Sequence, residues 1–211
     1  MRLTRTGFLA DFYVYPCIVA ILGALAIGRA PRDWQALGVA FLAGLCAWTL
    51  LEYLVHRWIF HHAPWVRRQH AAHHDDPKAL VGTPTWLSVA TLSVVVMLPS
   101  MVAEGLAIGS SFSAGLVLGY LWYCIVHYGA HHWHVARHGY FSRMKRRHAI
   151  HHQVDVGSNF GVTTSVWDRL FGTCHRQVAG GWPRALGITS TRRVRRHATT
   201  RPGSPDSGDA R

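Results

Sequence analysis

The chain has 211 residues, of which 49% are hydrophobic, and a formal net charge of +12. The apolar residues gather into long runs with arginines between and after them, which argues against one soluble globular domain with a mixed surface. The four cysteines show no C-x-x-C spacing, so neither a zinc knuckle nor a redox pair is indicated; reduced, packed cysteines are the expectation. Histidine is the outlier: there are 16, where a background near two per cent would give roughly four.

Taken in chain order, four apolar runs emerge: residues 8–28, 34–55, 85–108 and 111–130. Each approaches the ~20 residues a helix needs to cross about 30 Å of hydrocarbon. Pro16 and Pro99 fit as kinks in such helices. A cleavable signal peptide is the competing reading of the first run, because Arg2 and Arg5 precede it and Ala24-Leu25-Ala26 resembles a cleavage site. Asp11 and three aromatics make it unlike a simple signal sequence.

Loop charge sets the expected topology. Arg57, Arg67, Arg68 and Lys78 separate runs two and three, and Arg137, Arg143, Lys145, Arg146 and Arg147 follow run four. Runs three and four meet almost without a loop at Gly109 and Ser110. The expected architecture is an all-α integral membrane protein of about four transmembrane helices with a cytosolic, histidine-rich helical cap. Both termini then face the cytoplasm. Residues 1–175 form the membrane-embedded domain and residues 176–211 a basic, disordered tail, expected to be solvated without a partner; contact of "RRVRRH" with anionic lipid is the alternative, ahead of nucleic acid.

The histidines fall at the helix exits and in the two basic segments. His56 and His61 lie where helix two leaves the membrane, and His70, His73 and His74 follow. His127 and His131 lie where helix four leaves, followed by His148, His151 and His152. Positions three and four apart share a helix face, which groups each His-x-x-His-His triad. His56 and His61 are five apart and need a helix end between them to point at one centre. Ten neutral imidazoles on one membrane face can hold two metal ions, and imidazole suits iron, zinc, copper and nickel alike. Glu52, one turn before His56, together with Asp75, Asp155 and His132, are candidates to orient the ligands. His62, His134 and His138 lack matching spacing, and His175 and His197 lie beyond the pattern.

"HRWIFH", "HAAHH", "HYGAH" and "HAIHH" resemble the histidine signature of the fatty acid hydroxylase and sterol desaturase superfamily, and "NFGVTTSVWDRLFGT" (159–173) looks like its closing segment. The spacing from His127 to His131 is most similar to that of fatty acid 2-hydroxylases; carotenoid hydroxylases typically carry His-Asp where this chain has His127-Tyr128. The resemblance implies a dimetal centre of two iron ions, replaceable by zinc, that uses O2 to oxidise an unactivated C–H bond of a membrane lipid. It leaves hydroxylation and desaturation both open. No segment has room for a haem or flavin domain, so a separate ferredoxin-like or cytochrome b5-like electron donor is expected, steered by the basic face. Trp58, Phe60, Trp65, Trp122, Tyr123, Tyr128, Trp133, Tyr140 and Phe141 line a lipid entrance or form an interfacial belt. A metal transporter would place its ligands near the midplane, and a b-type cytochrome needs only paired axial histidines. The excess of arginine over lysine, with abundant alanine, is the composition of a GC-rich bacterial genome, and a bacterial cytoplasmic membrane is the expected location.

Overall fold

The computed structural model describes residues 2–175; the basic tail expected at 176–211 lies outside them. The described residues fold into helices, with a single isolated β-bridge between Arg2 and Val81. A short α1 (Arg5–Leu9) leads into α2 (Asp11–Arg29). Next comes α3 (Trp34–Leu54), which runs on as a π-helical segment, Val55–Phe60. After these come α4 (Pro64–Asp75), α5 (Thr85–Leu92), a second π-helical segment (Ser93–Met97), α6 (Leu98–His132), α7 (Tyr140–Gln153) and α8 (Val166–Leu170).

Among the described residues, three stretches are long and apolar enough to cross a membrane: Arg5–Arg29, Trp34–Phe60 and Thr85–His132. Their outward side chains, among them Ile21, Val39, Leu42, Val94, Val95 and Val102, are exposed. Lipid tolerates such a surface and water does not. The third stretch folds back on itself. Gly105 sits at φ 78° and ψ 166°, outside the helical region, which an L side chain rarely adopts. On either side of it in the chain, the Ser100 and Ser113 hydroxyls lie 3.0 Å apart. Along a continuous helix they would be separated by about 20 Å, so the two arms run antiparallel. The reversal therefore falls at Gly105, ahead of the Gly109-Ser110 turn expected from sequence. Gly109 instead provides the room for the arms to touch: a Cβ there would sit 2.5 Å from Met101 Cα.

The bundle core is Tyr15, Leu22, Trp48, Leu92, Ala114, Leu116, Val117 and Leu121. α6 packs on both α2 and α3. Its crossing with α3 is set by Gly44 and Gly115, where an added Cβ would run into the backbone carbonyls of Phe112 and Phe41 respectively. Backbones approach this closely in membranes only where one residue lacks a side chain. That contact fixes α6, which carries His127, against α3, which runs on into His56. Replacing Gly115 with leucine should lower the thermal unfolding midpoint in detergent by several degrees, an overpacking cost of at least about 1–3 kcal/mol. Gly38→Leu, at an exposed glycine with nothing within 4 Å, should leave the midpoint unchanged.

Candidate metal centre

Four elements deliver histidines to one end of the bundle. The π-helical continuation of α3 supplies His56 and is followed directly by His61; α4 brings His70, His73 and His74. The C-terminal turns of α6 carry His127 and His131, and α7 carries His148, His151 and His152. The structure sorts the ten into two groups of five: His56, His61, His70, His74 and His151, and His73, His127, His131, His148 and His152. Within each group the nitrogens that could bind an ion all lie within 4.8 Å of one another.

Two features differ from the sequence expectation. No helix end separates His56 from His61. The i→i+5 bonding of a π-turn returns residues five apart to nearly the same face, and the two rings stack with centroids 5.3 Å apart. Nor does either His-x-x-His-His stay together. At roughly 100° per residue, the fourth residue on lies about 40° to one side of the first and the third about 60° to the other. His70 and His74 therefore turn to one group and His73 to the other; His148 and His152 pair likewise, and His151 crosses over. Each group borrows one histidine from the opposite half of the chain. His74 and His152 face each other across the divide, stacked at 3.9 Å.

The ring nitrogens point at each other. Nε2 separations are 3.2 Å for His56–His70, 3.2 Å for His61–His151 and 3.0 Å for His70–His74. In the second group they are 3.0 Å for His73–His127, 3.2 Å for His127–His131 and 2.9 Å for His131–His148. Ligands at right angles around an ion with metal–nitrogen bonds of ~2.1 Å lie about 3.0 Å apart. Tautomers agree with that fit. His56 Nδ1 donates to the Phe160 carbonyl at 2.6 Å and His151 Nδ1 donates to the Ser158 carbonyl at 2.8 Å. A carbonyl only accepts, so each ring keeps its proton on Nδ1 and turns a bare Nε2 lone pair inward.

Those two carbonyls belong to a closing segment held by buried carboxylates. Asp168 accepts from the backbone N–H of Phe160 and Gly161 at 2.8 and 3.0 Å, from the Thr173 hydroxyl at 2.8 Å and from the Arg147 guanidinium at 2.8 Å. Glu52 accepts from the Val162 and Thr163 N–H groups at 2.6 and 2.8 Å and from the Thr163 hydroxyl at 2.6 Å. Glu52 thus acts on the histidines through the loop and bonds no ring directly. The sequence reading passed over Asp168, although it stands in the quoted closing segment. The Phe160 and Ser158 carbonyls carry no side-chain signal that could have found them. Asp75 is exposed, and Asp155 bonds His175 Nδ1 at 3.2 Å and the Gly157 N–H at 3.1 Å. His132 stacks on Tyr128 at 4.4 Å and joins neither group. His62, His134 and His138 are exposed and His197 lies outside the described residues.

Beside both groups opens a cavity of about 240 Å³. Phe8, Phe12, Phe60, Trp65, Tyr123 and Tyr128 contribute to its wall, and His70, His73, His127 and His131 line it as well. Of the aromatics expected at a lipid entrance, Phe60, Trp65, Tyr123 and Tyr128 line it; Trp122 packs elsewhere, against Tyr140 and Phe141.

Burial, reinforced by neighbouring imidazoles, pushes His61 and His73 down to about 4. Burial pushes His151 down to about 3, against the Ser158 hydrogen bond that raises it. His70, His148 and His152 are lowered for the same first reason. A histidine depressed on folding binds its proton more tightly in the unfolded chain, so stability falls as pH drops. In chelator-treated protein the unfolding midpoint should hold near neutrality and decline from pH ~6.5 towards 4, where the unfolded and folded histidines titrate. A midpoint that rises over that window would contradict the geometry.

Residues 41–173 match the sequence profile of the family described as fatty acid hydroxylase. The chain is 35% identical over 145 residues to a fatty acid 2-hydroxylase of Rattus norvegicus, a match covering 63% of this chain and 38% of that protein. It is 28% identical over 181 residues to the dihydroceramide fatty acyl 2-hydroxylase FAH2 of Arabidopsis thaliana, covering 81% of this chain and 75% of that one. A solved structure described as full-length scs7p, with only the hydroxylase domain visible, superposes with a TM-score of 0.71 at 25% identity. That likeness covers 82% of this chain and 68% of the other.

Proposed function

The chain belongs to the fatty acid hydroxylase family, and from that premise we propose that it hydroxylates a C–H bond of a membrane lipid's acyl chain at a pair of histidine-held iron ions. One observation carries the reading. Two five-histidine groups gather their ring nitrogens around two centres beside an apolar cavity, with His56 and His151 held so that a bare Nε2 turns inward. His56, His61, His70, His74 and His151 would hold one ion, and His73, His127, His131, His148 and His152 the other. Nitrogen ligands of this kind suit iron, and zinc fits the same donors. Bound metal supplies the O2 activation and C–H oxidation that no amino-acid side chain can perform. The overall conversion takes one O2, two electrons and two protons for each C–H turned into C–OH, with one water released.

The protein's own groups prepare that chemistry. Phe160 and Ser158 carbonyls hold His56 and His151 in the ligating tautomer. Asp168, Arg147 and Glu52 hold the loop that bears those carbonyls. The aromatic lining desolvates an alkyl chain and keeps bulk water from the reacting carbon. Relatives named as fatty acid and dihydroceramide 2-hydroxylases support hydroxylation of an acyl chain over desaturation or attack on a carotenoid. We place residues 1–175 in the membrane as one domain, with the gathered arginines putting the histidine end in the cytoplasm. Electrons then arrive from a separate, acidic redox protein drawn to Arg67, Arg68, Arg137 and Arg143.

Iron-supplemented protein should carry two metal ions per chain by elemental analysis. The double variant His151→Ala/His152→Ala, which takes one ligand from each group, should carry fewer than one. Lipids of an expressing host should gain a species heavier by one oxygen that the double variant abolishes. Metal-free protein with an unchanged ligand set would sink the proposal. Asp168→Ala, which touches no ring, should weaken metal retention against a chelator by about 10–100-fold.

A further inference from the structure

Asp11 opens α2, six residues into the apolar stretch that starts at Arg5, and Thr85 opens α5 and the third apolar stretch. The Thr85 hydroxyl donates to one Asp11 oxygen at 2.5 Å and the Tyr120 hydroxyl donates to the other at 2.8 Å. The Cys124 thiol stands 3.8 Å from that second oxygen. Close by, Tyr15 donates to Ser88 at 2.8 Å. Asp11, Ser88, Tyr120 and Cys124 all line the cavity that His70, His73, His127 and His131 also line. Asp11 also precedes residues 41–173, the part that matches the family.

A carboxylate in an apolar wall is costly unless its oxygens are satisfied. Two hydroxyls and one weak thiol leave it short of the roughly four acceptor positions a carboxylate offers. Cys124 and Tyr120 precede His127 by three and seven residues on α6. At ~1.5 Å per residue that places the carboxylate about 5–10 Å along the helix from the histidines. An amide or hydroxyl headgroup spans that distance within the shared cavity when a carbon close to it lies against the histidines.

Resting on the reading of the chain as a lipid hydroxylase, we infer that Asp11 is the positioning residue that seats the substrate's headgroup. It accepts a hydrogen bond from an N–H or O–H of an amide- or hydroxyl-headed lipid and disfavours a free carboxylate. A site built around an acceptor discriminates strongly against an analogue that lacks the donor.

The test is binding to purified, metal-loaded protein in detergent, with palmitoyl ethanolamide, methyl palmitate and palmitate competing for one site. Wild type should prefer the ethanolamide to the methyl ester by about tenfold, the scale of one hydrogen bond to a charged group. Asp11→Asn should reduce that ratio below about twofold, leave methyl palmitate affinity unchanged and improve palmitate binding. A residue that only ties α2 to α5 and α6 would lower the unfolding midpoint and leave the ratio alone; that result overturns the inference, as does a wild type without preference. Should Asp11→Asn not fold, the near-isosteric Cys124→Ser gives Asp11 a stronger internal donor. It should lower the ratio several-fold, and an unchanged ratio again overturns the inference. Because binding is read apart from turnover, a preserved headgroup ratio without hydroxylated product would defeat the functional reading and leave the role of Asp11 standing.

Discussion

Imidazole nitrogens brought face to face are the constraint on which the rest of the structure depends. Histidine nitrogens about 3 Å apart, several of them buried, repel unless a cation sits among them or protons are shared between them. Only a rigid scaffold holds them so. The glycine contact between α3 and α6, the π-turn after α3 and the carboxylate-clamped closing loop each remove a freedom that would let the rings separate. The crossing of His73 and His151 adds a further condition. Neither five-histidine group is complete without both halves of the chain, so α4 and α7 must dock together for either to form.

The two buried carboxylates show how distant parts of the sequence enter the site without touching it. Glu52 lies in α3 and Asp168 in α8, yet both spend their oxygens on the same short stretch of backbone between Phe160 and Thr163. That stretch presents carbonyls to His56, and its neighbour Ser158 to His151. Asn159, at φ 55°, turns the chain between the two carbonyls; asparagine tolerates this left-handed conformation better than most residues do. The closing segment is thus a bracket for ring orientation, which explains why a stretch with no ligand of its own belongs to the site.

Much of this was legible in the sequence, for identifiable reasons. Apolar runs of membrane length and an excess of histidine at their ends are one-dimensional signals, and they mark the long apolar helices and the ten histidines that gather into two groups. The sharing of rings between groups was not legible, because it follows from which side of a helix faces which neighbour, a three-dimensional relation. Reading His70, His73 and His74 as one unit respected helical spacing and overlooked the roughly 100° between adjacent positions. The π-turn was hidden for a related reason: periodicity arguments assume α-geometry, and the five-residue step from His56 to His61 is awkward only under that assumption. The hairpin was placed four residues late, since Gly105 and Gly109 look alike in sequence and only backbone conformation separates the turn from the contact.

The most direct test of the account is anomalous diffraction from crystals of the iron-loaded protein. Two iron peaks are predicted, one within bonding distance of His56, His61, His70, His74 and His151 and the other within bonding distance of His73, His127, His131, His148 and His152. A single peak, or two peaks that keep each His-x-x-His-His wholly on one ion, would contradict it.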